Sequence, residues 1–163
     1  MVWKKQQYWI GVLVAVALGL RAVSAAGADG IAGTWVGDYT CAQGSTGLSL
    51  FVDPPGTGPI HALFYFYPTA DNPRVPQGCF EMSGRYDGQT REARLVAGGW
   101  LLHPFGFVTV DLSGQVDAGE SDMAGAIDGP GCRRFRLHRS AGPRRLPPPA
   151  CRSAADIVAS LAR

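Results

Sequence analysis

"IAGTWVGDYTCAQG", residues 31–44, sets Trp35, Gly37, Tyr39 and Cys41 at every second position. Successive side chains of a β-strand point to opposite faces, so these four share one face. The stretch predicts a first strand over 33–41. The same period of two recurs downstream. "GLSLFVD" puts Leu48, Leu50 and Val52 on one face, and the turn "PPGTGP" follows. "IHALFYFY" is apolar on both faces, with Ala62, Phe64 and Phe66 opposed to Leu63, Tyr65 and Tyr67. "CFEMSGRYD" alternates Phe80, Met82, Gly84 and Tyr86 with Glu81, Ser83, Arg85 and Asp87. "REARLVAGGW" carries Ala93, Leu95 and Ala97 on one side. "FVTVDLSGQVD" predicts Val108, Val110, Leu112, Gly114 and Val116 inward. "DMAGAID" and "CRRFRLHR" contribute Met123, Gly125, Ile127, Phe135 and Leu137.

Alternation over successive strands needs one packed and one wet face. The turns "DG" (87–88), "DAGES" (117–121) and "GPG" (129–131) are short, and short loops join antiparallel neighbours. Eight strands in sequence make a meander, and closing it removes both exposed edges. The expected fold is all-β: an eight-stranded antiparallel up-and-down barrel. A Pro-rich arm and a short C-terminal helix follow it. "PRRLPPPA" cannot be an inner strand, because proline lacks the ladder donor. "SAADIVASLAR" has a Ser cap and Ile157, Val158 and Leu161 on one side, which predicts the helix.

The ends carry further expectations. Lys4 and Lys5 precede an apolar run, Trp9 to Leu20, of 12 residues. A bilayer span needs about 20. The small residues "AVSAAGADG" come next, so residues 1–28 read as an export signal cleaved after Ala26 or Ala28. An uncleaved anchor is the alternative. The organisation is then a signal at 1–28, a barrel domain at 29–140, and the Pro/Arg-rich arm and helix at 141–163. No stable membrane span is expected after cleavage, and the expected location is periplasmic or secreted.

Charge is uneven along the chain. Residues 29–132 hold 4 Arg and 12 acidic residues, a net −8, while residues 133–163 hold 8 Arg and one acid, a net +7. The tail is expected to lie against the acidic body and neutralise it. The alternative is contact with an anionic surface through Arg144 and Arg145. A nucleic-acid partner is not expected, because residues 29–163 carry no surplus of positive charge.

Three features resemble the calycin group, which includes the lipocalins, fatty-acid-binding proteins and avidins. They are Gly33-Thr34-Trp35 opening the first strand, the eight-stranded up-and-down order, and Arg139 late in the last strand. The resemblance implies that Arg139 packs over Trp35 at the closed end of the barrel. Gly33, Trp35 and Arg139 are therefore structural candidates. The chain departs from lipocalins in lacking a long first loop and a long helix after the last strand.

The four cysteines form an even set, which in an exported chain argues for two disulfides. In an up-and-down order Cys41, Cys79 and Cys132 all reach the same rim. The first and last strands meet at the seam of a closed barrel, so Cys41–Cys132 is the natural bond there. Cys79–Cys151 then remains, and other pairings stay open. The cysteine spacings and the scattered His61, His103 and His138 match no metal-ligand pattern, and no metal or cofactor is expected.

No nucleophile motif, zinc-protease motif or phosphate loop occurs, and no acid, base and nucleophile converge. Asp111 and Asp128 point outward by parity. The expected class is a non-catalytic binding module. The longest connection on the Cys41 rim, "PTADNPRVPQG" (68–78), holds three prolines, and a stiff loop on a compact domain suits recognition. Gln43, Tyr67, Arg74, Trp100 and His103 are the candidate binding residues, with Tyr65 and Phe105 beside them. An envelope protein or glycan is the expected partner. The alternatives are an inhibitor of a cell-wall lytic enzyme or protease, and a barrel holding a small hydrophobic ligand. The volume inside the barrel distinguishes them.

Overall fold

The computed structural model describes residues 30–54, 56–142 and 145–152. The export signal expected at 1–28, Arg144 and the terminal helix expected within 153–163 lie outside the described residues.

Eight antiparallel strands form a closed barrel in sequence order. They are β1 (Gly33–Cys41), β2 (Gly44–Val52), β3 (Ile60–Tyr67), β4 (Gly78–Asp87), β5 (Glu92–Leu102), β6 (Asp111–Val116), β7 (Asp122–Asp128) and β8 (Arg134–Arg139). β1 closes on β8 from Trp35 opposite Arg139 to Thr40 opposite Arg134. Closure satisfies the outer ladder of both end strands and leaves neither as an edge.

The inward positions read from the alternation are those that pack. Trp35, Leu48, Leu50, Phe64, Phe66, Phe80, Met82, Leu95, Met123, Phe135 and Leu137 are all below 2 % exposed. Eight strands enclose an interior that side chains can nearly fill, and bulky rings take up much of this one. Phe64 stacks on Phe80 at 4.7 Å between ring centroids, and Tyr39 meets Phe64 edge-on at 5.3 Å. Two inward glycines let strands approach at the wall. A Cβ on Gly37 would collide with the carbonyl of Arg136, and one on Gly84 with that of Arg94.

Two strand boundaries differ from the sequence reading. β2 begins at Gly44, three residues before the "GLSLFVD" stretch, so the first connection is only Ala42 and Gln43. β6 begins at Asp111, and residues 107–110 are not strand. Val108, expected inward, is 57 % exposed, although Val110 is buried. The cause lies in β5. Its ladder with β4 slips twice, between Cys79 and Phe80 and again between Phe80 and Met82. Its ladder with β6 stops at Leu95 opposite Leu112. Beyond that point β5 and the chain leading into β6 diverge. The Asp111 carboxylate accepts the Ala97 N–H at 2.8 Å, where the ladder has ended.

The tail explains why β3 is apolar on both faces. Phe51, Leu63, Cys79 and Cys151 form a second buried cluster on the outside of the barrel, with Tyr65, Leu101 and Leu102 packed against it. Cys79 is bonded to Cys151, and Cys41 to Cys132. Pro149–Cys151 forms a short 3-10 turn, which the Cys151 N–H closes on the carbonyl of Pro148 at 2.8 Å. Neither Arg145 nor Arg152 pairs with a carboxylate among the described residues, and Arg152 donates instead to the Pro147 carbonyl at 2.9 Å. A disulfide and apolar burial hold this segment, both less sensitive to solvent screening than surface charge.

Candidate functional site

The two ends of the barrel are built differently. At the end where β1 starts, Trp35 is fully buried and donates from Nε1 to the carbonyl of Ile31 at 2.8 Å. Arg139 lies over it, with the guanidinium carbon 4.2 Å from the ring centroid. The same guanidinium donates to the carbonyls of Gly30 (2.5 Å), Ala32 (2.6 Å) and Glu120 (2.6 Å). It ties the entry to β1 to the β6–β7 turn across the mouth of the barrel. This end is closed by backbone and cation together.

The other end is the Cys41 rim, where the 42–43, 68–77, 103–110 and 129–133 connections gather. It opens into a cavity of about 300 Å³. Phe64, Phe66 and Phe80 line its buried part, with Tyr39 and Val110. Gln43, Phe107, Val108 and the Cys41–Cys132 bond line the part near the rim. Among the described residues, no Asp, Glu, Lys, Arg or His lines it.

The rim is braced. Gln43 donates from Nε2 to the Tyr39 hydroxyl (3.1 Å) and to Thr46 Oγ1 (3.3 Å). The side-chain amide of Asn72, in the long loop, donates to the backbone carbonyls of Gln43 (2.7 Å) and Ser45 (3.0 Å). Val75 anchors the same loop by burial. Burial raises the Tyr39 phenol well above its ordinary pKa, against the lowering effect of its bonds to Thr46 and Gln43. It stays a neutral hydroxyl in the cavity wall at physiological pH.

The 103–110 connection is bent back by a turn at Pro104-Phe105-Gly106-Phe107. The Phe107 N–H closes on the Pro104 carbonyl at 3.2 Å, and Gly106 has φ +81°. That is the left-handed conformation a type II turn requires at its third residue. The turn stacks Phe107 on Phe66 at 5.2 Å and leaves Phe105 fully exposed at 103 %.

The five residues read from the sequence fall in different settings. Gln43 lines the cavity. Trp100 is half-buried and packs edge-on against Phe80 (5.1 Å) and Phe66 (6.2 Å), and so supports the cavity wall from behind. His103 stacks on Trp100 at 4.4 Å, with Nε2 2.9 Å from the Phe107 carbonyl. Tyr67 is not an open rim side chain. It is half-buried on the outer face, 5.3 Å from Tyr65, with its ring over Gly47. Arg74 is exposed on the long loop. Phe107 escaped the reading because "FVTV" alternates like a strand. The signal that could have placed it is Pro104-Phe105-Gly106 just before, a turn signature with its glycine at the third position.

Comparison of the chain with protein-family models, with curated proteins and with solved structures finds no match in any of the three.

Proposed function

We propose that this protein is an exported, calycin-like, non-catalytic binding module that recognises an envelope protein or glycan through its Cys41 rim. One observation carries the reading. Phe105 stands fully exposed at the tip of a fixed turn, on the same rim as the cavity, while the opposite end is sealed. Leaving a phenyl ring in water forgoes about 1.5–3 kcal/mol of burial. A ring held out by a hydrogen-bonded turn loses little further freedom on docking, which is how an anchor residue concentrates binding energy. Arg74, exposed on the 68–77 connection of the same rim, supplies a cation. Two disulfides and the long apolar run at 9–20 support the exported location.

The test is co-sedimentation with purified peptidoglycan sacculi, alongside capture of partners from an envelope extract. The double variant Phe105→Ser, Arg74→Ala should keep its melting temperature and lose at least tenfold in whichever binding the wild type shows. Unchanged binding by the folded double variant would overturn the rim reading.

A further inference from the structure

The cavity inside that rim has a chemistry of its own. We propose that it takes one uncharged ring-bearing group with a single hydrogen-bond donor, such as a phenol or an indole. This rests on the rim reading and names what the rim would hold.

Three observations converge on this class. The first is size. About 300 Å³ is the low end of the range for small-molecule pockets, which suits one or two rings and not a long chain. The second is the wall. Phe64, Phe66, Phe80 and Phe107 present aromatic surface, on which rings pack edge-on or offset. With no charged residue among the described residues of the lining, an ionised ligand would lose its hydration without compensation.

The third is the amide of Gln43. Its nitrogen is committed to Tyr39 and Thr46, while no described residue donates to its Oε1. That oxygen is not among the buried side-chain atoms left without a partner, so it remains reachable from solvent. A donor on the incoming ring would meet an acceptor already held in place by two hydrogen bonds. The bracing of Gln43 by Asn72 means that little reorganisation is required.

The ring could arrive as a free compound or as a Tyr or Trp side chain of a partner. Titrations followed by amide chemical shifts would separate these sources. The free probes are p-cresol, indole, toluene and benzoate, and the peptide probe is N-acetyl-Gly-Trp-Gly-amide. Saturable shifts at Tyr39, Phe66 and Phe107 are expected with p-cresol and indole. Toluene should bind three- to tenfold more weakly than p-cresol, and benzoate at least tenfold more weakly.

Gln43→Met should remove the p-cresol advantage over toluene, a ratio that general loosening of the rim would not alter. Val108→Trp, placed at an exposed lining position, should block all the probes while the protein stays folded. Binding of the peptide as well as the free rings would assign the site to a partner's side chain. Binding of the free rings alone would assign it to a small molecule. No saturable shift with any uncharged ring, equal binding of benzoate, or an unchanged response in Val108→Trp would each overturn the proposal. Failure here with a working Phe105 anchor removes the cavity proposal alone. Ring binding without any effect of the Phe105 and Arg74 double change removes the partner reading alone.

Discussion

The Trp35 end and the Cys41 end of this barrel use the same strands and reach opposite outcomes. At the Trp35 end, an indole fills the interior and an arginine spans three separate carbonyls. At the Cys41 end, Tyr39, Phe64, Phe66 and Phe80 pack on one another, and a cavity of about 300 Å³ remains beside them. The β5–β6 ladder separates them. It holds from Glu92 to Leu95 near the first end and is absent towards the second. Where strands stay paired, side chains converge on one axis and fill it. Where the ladder stops, the chain over 103–110 is free to form a turn and hold an aromatic ring outward. One end is closed by an indole and an arginine, and the features suited to recognition lie at the other.

That division is open to attack at several points. The largest effect should come from Trp35→Ala, which empties the sealed end and should cost about 3–5 kcal/mol in denaturant unfolding. Arg139→Ala should follow at about 2–3 kcal/mol, since it removes charge-assisted bonds to three carbonyls together with the stacking. Arg134→Ala, exposed on the outer face of the same strand, should cost less than about 0.5 kcal/mol. Equal losses at Arg139 and Arg134 would mean that the seal does not hold the fold.

Phe105→Ala tests the other end and should change stability by no more than about 0.5 kcal/mol, because its ring has nothing to lose on the inside. A clear drop in melting temperature would show that the rim is part of the core after all.

The smallest expected effect is a local one with pH. Asp117 accepts the backbone N–H groups of Asp122 (2.8 Å), Ser121 (2.7 Å) and Gly119 (3.1 Å) in the β6–β7 turn at the sealed end. The bond from Asp122 does most to hold its carboxyl below the ordinary value. A folded pKa below the unfolded one contributes stability that is complete above about pH 4, the unfolded value, and is lost as pH falls through the lower folded value. Amide exchange at Ser121 and Asp122, corrected for intrinsic rates, should quicken only below that range. Acceleration between pH 7 and pH 5 would contradict this sign.

How much of this was legible in the sequence depended on what each residue needed from its neighbours. Trp35, Phe80, Met82 and Leu137 could be placed inside from alternation alone, since parity on a paired strand is a local property. The strand order followed from short turns. The Trp35–Arg139 contact was implied by the calycin resemblance, and a closed barrel permits it by putting both residues at one end. Val108 failed because its parity was assigned for a strand that begins only at Asp111. Tyr67 failed as an open rim residue because Gly47, on the adjacent strand, leaves room for its ring to lie flat.

The sequence by itself determined the alternation, the number of strands, the turns between them and the gathering of three cysteines at one rim. These depend on backbone geometry and on periods that span only a few residues. Only the tertiary structure decided where the β5–β6 ladder stops, that Cys151 of the tail joins Phe51, Leu63 and Cys79 in an apolar cluster on the outer wall, and that a cavity remains beneath the Cys41 rim. Those outcomes depend on how side-chain volumes from different strands sum across the interior and over the outer wall. Bulges in β5 shift that sum by whole residues, and neither the shift nor the space it leaves is encoded in any one stretch of the chain.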